Sequence, residues 1–331
     1  MNEFYYGAGR VRSLEARLLT TAQLERMAAA ADFSGAFSVL SETPYAENLP
    51  KLKRPFDFEE LLELETLSLK QLLDRLAPEN IILTALFRKY DYLNLKIQIR
   101  GYFGQAEKFQ LFSRAGTIGF DNLRLYVFEG INEINDNEIV AVIDTAKSSY
   151  KKQHDPQLLD MILDKHYFAY LKMACNLSPS PLIKNLANHQ IDLINIKALV
   201  RAQQLKKDKK FLQAVLLEPG LIGQDTLLDQ LDKNLEDIGS RLSFTPYFPA
   251  IASGWSQLAE NGSVFLLEKL MDDFIIEQFR KAKYLNSGLE PLVGFFLAKE
   301  AEIKTLRFIL VSKNNYVGSE QIKARLRVNY A

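Results

Sequence analysis

The apolar positions of the chain follow a helical period in its long patterned segments. Residues 58–76 are the clearest case, since Phe58 and a series of leucines recur at spacings of three and four and share one helical face. Similar amphipathic stretches occupy 158–174 and 266–282. Residues 123–128 come nearest to the alternation of a strand, but the same run also fits a helix. The pattern therefore predicts an all-α protein.

Polar positions add a second pattern, which repeats along the chain. The segment 91–100 reads DYLNLKIQIR and the segment 192–201 reads DLINIKALVR, so Asp, Asn, Lys and Arg recur at the same offsets. A weaker copy, KEAEIKTLR, occupies 299–307. We call the predicted helices that carry these segments the signature helices. Self-similarity at a period of roughly one hundred residues predicts repeated structural units. The predicted units are 1–112, 113–216 and 217–331.

A glycine segment gives the most specific internal match. GTIGFDNL at 116–123 corresponds to GLIGQDTL at 220–227. Because glycine readily adopts positive φ, these glycines predict tight turns. The tripeptide Thr-Pro-Tyr also occurs twice, at 43–45 and 245–247. Each unit is therefore expected to contain related turns between its helices.

The polar residues of the signature helices have two interpretations. Asp and Asn three positions apart share a helix face, and their recurrence favours a structural hydrogen bond to neighbouring elements over simple solvent exposure. Lys and Arg four apart repel mildly, which predicts an acidic partner either within the chain or outside it. The candidate partner-binding residues are Lys96, Arg100, Lys197, Arg201, Lys304 and Arg307.

Composition narrows the function classes. The 331 residues include 41 basic and 41 acidic side chains, so the net charge gives no reason to expect a nucleic-acid partner. The single cysteine, Cys175, excludes an internal disulfide framework and fits a reducing compartment. The first residues lack the basic and apolar regions of a signal peptide. The longest apolar runs, such as 81–87, are too short to span a bilayer, so we expect any membrane association to be peripheral.

Few segments have the residue types and spacing of a catalytic, phosphate-binding or metal-binding site. The segment 271–277, MDDFIIE, faintly resembles the aspartate-rich magnesium-diphosphate motif of helical prenyl-transfer enzymes, but no second such motif follows. The three histidines are scattered, and no phosphate-binding loop is present. We therefore expect no catalytic residue, cofactor or metal. The run KKDKK at 206–210 is expected to be a solvated surface, with an acidic partner or lipid headgroups as the alternative.

Taken in order, these segments resemble the C subunit of the prokaryotic and archaeal-type V/A-ATPases, the counterpart of the d subunit of eukaryotic vacuolar ATPases. The resemblance covers nearly the whole chain. The segments that carry it are YGAGRVRSLEARLL at 6–19, TPY at 43–45, DYLNLK at 91–96, DLINIKALVR at 192–201 and AKEAEIKTLRFI at 298–309. The chain departs from the family pattern in its third unit, which lacks the Asp and Asn, and at Ser312-Lys313, where Gly-Lys is expected.

The resemblance implies three similar helical bundles around a pseudo-threefold axis, which form a hollow funnel. One copy would sit peripherally on the cytoplasmic face of the membrane rotor ring and receive the end of the central stalk. It would transmit torque for proton or sodium transport, have no active site of its own, and be a monomer in isolation. Two alternatives remain from the residues alone, namely an all-helical isoprenoid-type enzyme and a helical-repeat scaffold for unrelated partners.

Overall fold

The computed structural model describes residues 4–54, 57–104, 112–328 and 330. Helices make up 74% of the structure, and the described residues contain no strand. The predicted all-α class is therefore confirmed. The ambiguous run 123–128 lies inside a helix, Phe120–Glu129. The contacts divide the chain into two compact units, 1–77 with 226–331 and the intervening 78–225.

The first compact unit combines both ends of the chain. Short 3₁₀ turns at Val39–Glu42, Pro44–Glu47, Leu49–Lys51 and Lys281–Tyr284 connect its longer elements. Its α-helices are α1 Tyr5–Glu15, α2 Thr21–Ala29, α3 Phe33–Ser38, α4 Phe58–Leu76, α12 Leu235–Leu242, α13 Phe248–Asn261, α14 Phe265–Arg280, α15 Glu290–Asn314 and α16 Ser319–Ala324.

The second compact unit is built from consecutive helices. They are α5 Ile81–Tyr102, α6 Phe120–Glu129, α7 Asn137–Gln153, α8 Pro156–Asn176, α9 Pro181–Gln204 and α10 Lys209–Val215. A short helix, α11 Gln224–Leu228, lies at the change from one unit to the other.

The amphipathic pattern of the first unit forms one core. Helix α4 has the bounds that its leucine spacing predicts, and Leu61, Leu62 and Leu73 on its apolar face are fully buried. Helices α2, α3 and α4 pack with the C-terminal half of α15 around a shared apolar cluster. Burying each such side chain contributes about 1.5–3 kcal/mol to stability, so this cluster holds the C-terminal half of α15 in place.

Helices α5 and α8 pack in opposite directions in the second unit. Residues late in α5 contact residues early in α8, and Arg88, near the start of α5, lies 4.2 Å from the ring centroid of Tyr170, near the end of α8. Between them, the rings of Tyr92 and Tyr167 lie 5.6 Å apart. This packing brings the polar residues of α5 next to those of α8.

The signature segments lie in the long helices α5, α9 and α15. The division into units 1–112, 113–216 and 217–331 stays a prediction, because compact units defined by contacts follow packing and not sequence similarity. Part of the approach to the predicted boundary, 105–111, lies outside the described residues.

Candidate functional site

Two asparagines in the middle of signature helices make matching hydrogen bonds. The Asn94 side chain accepts from the backbone N–H of Ser113 at 2.9 Å and donates to its carbonyl at 2.7 Å. The Asn195 side chain does the same with Leu217, at 2.8 and 3.3 Å. Both asparagines are almost wholly buried. A buried peptide group needs hydrogen-bond partners, and the two side-chain amides supply them to the N–H and C=O groups of Ser113 and Leu217.

Asp91 makes a second contact one turn before Asn94. Its carboxylate accepts from the backbone N–H groups of Thr117 and Ile118 at 2.9–3.1 Å, and from the Thr117 hydroxyl at 2.7 Å. Burial raises the pKa of Asp91, although these hydrogen bonds act to lower it. Gly116 lies so close that a Cβ there would be 2.1 Å from the carboxylate. Glycine at this position is therefore required by the carboxylate.

Asp192 repeats the arrangement in the next signature helix. Its carboxylate accepts from the N–H groups of Leu221 and Ile222 at 2.7 and 3.2 Å. A Cβ on Gly220 would lie 2.4 Å from the Asn188 carbonyl oxygen and 2.6 Å from the Asp192 carboxylate. Neither this glycine nor its counterpart has positive φ. The predicted reason for these glycines was therefore wrong, since close approach and not turn conformation requires them.

Glu302, which the sequence pattern aligns with Asn94 and Asn195, also binds backbone from the third signature helix. Its carboxylate accepts from the backbone N–H of Leu19, from the Tyr45 hydroxyl at 2.8 Å and from Lys299 at 2.7 Å. Lys299 also pairs with Glu65 at 3.0 Å. Burial alone would lower the pKa of Lys299, but the charges of the two glutamates raise it above its ordinary value. Burial and the same carboxylates raise the pKa of Tyr45.

We refer to these three arrangements as the polar clamps, centred on Asn94, Asn195 and Glu302. They join a signature helix to backbone 19, 22 and 283 residues away, and each residue whose backbone is bound is buried. The interpretation of the recurring Asp and Asn as structural hydrogen-bonding residues is confirmed. In the third clamp, glutamate stands in place of asparagine, and its carboxylate accepts the hydrogen bond from the Leu19 N–H.

Lys96, Arg100 and Arg307 pair with acids within the chain. Lys96 bonds to Asp164 and Arg100 to Asp160, each at 2.6 Å, across the α5–α8 packing. Arg307 pairs with Glu59 of α4 at 2.9 Å. The Lys–Arg spacing thus has internal acidic partners in these cases. Asp160 and Asp164 also lie four apart, so the sequence contained a matching acidic spacing that could have predicted the pairs.

The remaining candidates differ in their exposure to solvent. Lys197 is half-buried, whereas Arg201 and Lys304 are exposed at the surface. Arg201 lies in the last turn of α9, and Lys304 lies near the middle of α15. The structure contains no partner chain, so a role for any of the six in binding another protein stays a prediction.

The aspartate-rich segment is engaged in ion pairs. Asp272 pairs with Arg327 at 2.8 Å, while Asp273 pairs with Lys269 at 3.0 Å and accepts from the backbone N–H of Val328 at 2.8 Å. In the part of the chain that the structure describes, no group of three or more His, Cys, Asp and Glu residues is arranged to hold a metal ion. These contacts give both aspartates partners within the chain.

A family model described as ATP synthase (C/AC39) subunit matches residues 8–325. The chain belongs to this C/AC39 family. The match includes all three polar clamps and the helices that bear them. The family that the sequence motifs resemble is thus confirmed.

Relatives of this C/AC39-family chain that align over most of their length are also named as C subunits. In Methanocaldococcus jannaschii, the protein named as the C subunit of A-type ATP synthase is 23% identical, over 98% of this chain and 86% of its own length. The C subunit of the V-type sodium ATPase of Enterococcus hirae is 25% identical, over 97% of both chains. The C subunit of the A-type ATP synthase of Methanobrevibacter smithii is 22% identical, over 92% of this chain and 82% of its own.

The length and apolar character of the helices bear on whether the chain could cross a membrane. Among the described helices, none combines the length and the apolar character that crossing a bilayer requires. The longest, α15, carries the buried Glu302 among its apolar residues.

Proposed function

We propose that this member of the C/AC39 family is a non-catalytic rotor adaptor of a rotary V/A-type ATPase. It would couple the central stalk to the membrane rotor ring and transmit torque for proton or sodium transport. The observation that carries the proposal is the family match over 8–325 in a chain whose recurring polar residues form internal clamps. In this proposal one copy lies peripherally on the cytoplasmic face of the membrane.

The polar clamps suit the mechanical demand on such an adaptor. Torque loads helices in shear, and close-packed interiors transmit strain because they deform little. A helix that slides must break its clamp, which leaves buried polar groups without partners at a cost of about 1–3 kcal/mol each. Directional hydrogen bonds therefore fix the helix register, which apolar packing alone holds less specifically.

Three similar bundles around a pseudo-threefold axis, forming a funnel, are part of the proposal. The polar clamps support the repeat, since corresponding residues make corresponding backbone contacts. The two Thr-Pro-Tyr segments add support, because the hydroxyls of Thr43 and Thr245 both donate to the carbonyl three residues earlier, at 2.7 Å. Tyr45 and Tyr247, which follow, are fully buried.

Removal and replacement of this protein in its complex tests the adaptor role. We expect membranes lacking it to retain ATP hydrolysis by the detachable sector but to lose ATP-driven ion pumping. Purified wild-type chain should restore the pumping. Normal pumping in its absence would contradict the proposal, as would ATP hydrolysis by the isolated, homogeneous chain.

We also propose that the exposed members of the basic set bind acidic groups of the stalk or ring. Lys304 is an exposed member, whereas Lys96 already pairs with Asp164. Several such contacts together can matter even though a single exposed ion pair contributes only about 0–1 kcal/mol. Apolar packing would supply most of the affinity, and the basic residues would provide its salt dependence.

Lys304→Glu and Lys96→Glu form a matched pair of charge reversals that tests this contact. Lys304→Glu is expected to weaken assembly with the purified complex and reduce its salt sensitivity, with affinity measured on the folded fraction, because the charge of Asp272 acts on Lys304 and its reversal also lowers stability. Lys96→Glu places a negative charge beside Asp164 and is expected to lower the unfolding free energy by about 1 kcal/mol. Partner affinity and salt dependence unchanged by Lys304→Glu would rule out this residue as a contact.

A further inference from the structure

Four lysines form an exposed cluster where α9 is joined to α10. We call Lys206, Lys207, Lys209 and Lys210 the lysine cluster, and all four are solvent-exposed. They lie within five consecutive positions, interrupted only by Asp208. Neither the polar clamps nor the proposed adaptor contacts use these residues.

The backbone holds the lysine cluster in a defined turn. Lys206 has φ of 51°, and its N–H donates to the Gln203 carbonyl at 3.0 Å. The Lys207 N–H donates to the Ala202 carbonyl at 2.9 Å. These bonds end α9 and turn the chain outward. The cluster is therefore presented on a fixed turn.

The single acid within the run does not cancel the positive charge. The Asp208 carboxylate accepts from the backbone N–H of Phe211 at 2.8 Å and caps α10. The carboxylate therefore lies at the N-terminus of α10, where it interacts with the positive end of the helix dipole. With four lysines and one aspartate, the exposed segment keeps a net positive charge, and the Lys207 ammonium lies 5.4 Å from the ring centroid of Phe211.

An exposed apolar residue directly precedes the lysine cluster. Leu205 is 65% exposed, next to lysines that attract negative charge. A protruding leucine beside lysines matches the two contributions to binding at a bilayer surface, namely headgroup attraction and shallow insertion of apolar groups. The charges alone fit an acidic protein as well as a bilayer, and shallow insertion gives the leucine a specific role at the bilayer.

The choice of cation also distinguishes lipid from protein. Protein interfaces are enriched in arginine and aromatic residues and depleted of lysine. Lysine is a compact, strongly hydrated charge on a flexible stem, and clusters of lysine and arginine near a membrane are drawn to anionic lipid. The cluster itself contains no arginine. We propose that the lysine cluster, with Leu205, binds the surface of an anionic lipid bilayer.

This inference is independent of the rotor proposal, because the isolated chain can be tested with lipid alone. The probe is vesicles of phosphatidylcholine with or without phosphatidylglycerol, incubated with the full chain and separated by flotation. Wild-type chain should bind the anionic vesicles, with affinity falling as salt is raised. Neutral vesicles should bind it weakly or not at all.

Replacing all four lysines of the cluster by glutamine is the decisive variant. Since each lysine near an anionic surface contributes about fivefold in affinity, the loss of four should be on the order of several hundredfold. The control removes the same charge from exposed lysines elsewhere, as Lys53→Gln, Lys151→Gln, Lys152→Gln and Lys281→Gln. That control should bind nearly as wild type. Leu205→Ser should reduce the affinity severalfold without changing its salt dependence.

Three results would overturn the inference. One is wild-type chain that does not bind anionic vesicles at low salt, and another is equal loss in the cluster and control variants. The third is binding through the cluster to polyglutamate with none to vesicles, which would identify an acidic protein partner instead. Melting temperatures equal to wild type confirm that each variant is folded.

Discussion

Glu302→Ala is expected to lower the free energy of unfolding of the first compact unit by about 3–5 kcal/mol. The substitution leaves the backbone N–H of Leu19 and the hydroxyl of Tyr45 buried without their acceptor. It also removes one of the two carboxylates that pair with Lys299. Loss of the third polar clamp therefore releases α15 from the N-terminal helices in addition to opening a small cavity.

Tryptophan fluorescence can follow this loss locally. Trp255, the only tryptophan, lies in the same unit, and its indole N–H donates to the Leu235 carbonyl at 2.7 Å. Denaturant unfolding monitored at Trp255 should shift strongly for Glu302→Ala and less for Glu302→Gln, which keeps an oxygen acceptor. Asn314→Ala, exposed at the end of the same helix, should stay within about 0.5 kcal/mol of wild type. A Glu302→Ala shift as small as this control would show that the clamp contributes little.

Gly220→Ala is expected to destabilise the second compact unit by about 3 kcal/mol. The added Cβ would meet a backbone oxygen at 2.4 Å, and relief of that contact must move the backbone or displace the Asp192 carboxylate. Overpacking of this kind costs about 1–3 kcal/mol, and disturbed hydrogen bonds to Leu221 and Ile222 add to it.

Gly9→Ala is the matched control for that substitution. Gly9 lies within α1, and a Cβ there would have no heavy atom within 4 Å. Alanine in an unhindered helical position should raise stability by about 0.5–1 kcal/mol. Circular dichroism during denaturation should thus show opposite shifts for the two variants. Shifts of the same sign would contradict the steric account of Gly220.

Local patterns in the sequence predicted the helices well. The leucine spacing of 58–76 matches the bounds of α4, because an amphipathic face and a following proline determine that helix without long-range information. The recurring Asp and Asn likewise indicated buried hydrogen bonds, since the same polar residues at the same offsets are difficult to explain as solvated positions.

Contacts between distant segments could not be predicted in the same way. Helical spacing shows which residues share a face, but it does not show what packs on that face. The matching spacing of Asp160 and Asp164 was present in the sequence, but the antiparallel packing of α5 and α8 was needed to show that these acids face Lys96 and Arg100. The glycines at 116 and 220 were assigned to positive φ because the nearby carboxylates, from helices about 25–30 residues earlier, were not evident from the local sequence.

Direct observation of rotation tests the adaptor role most sharply. Tyr316 is 95% exposed, so Tyr316→Cys offers a site for a thiol-linked optical probe. The native Cys175 is buried, and burial raises the pKa of its thiol to about 12, so it should not compete for the label. With the catalytic sector of the complex immobilised, the probe should turn in one direction when ATP is added, in step with the central stalk. A probe that stays still while the stalk turns would contradict the assignment of this chain to the rotor.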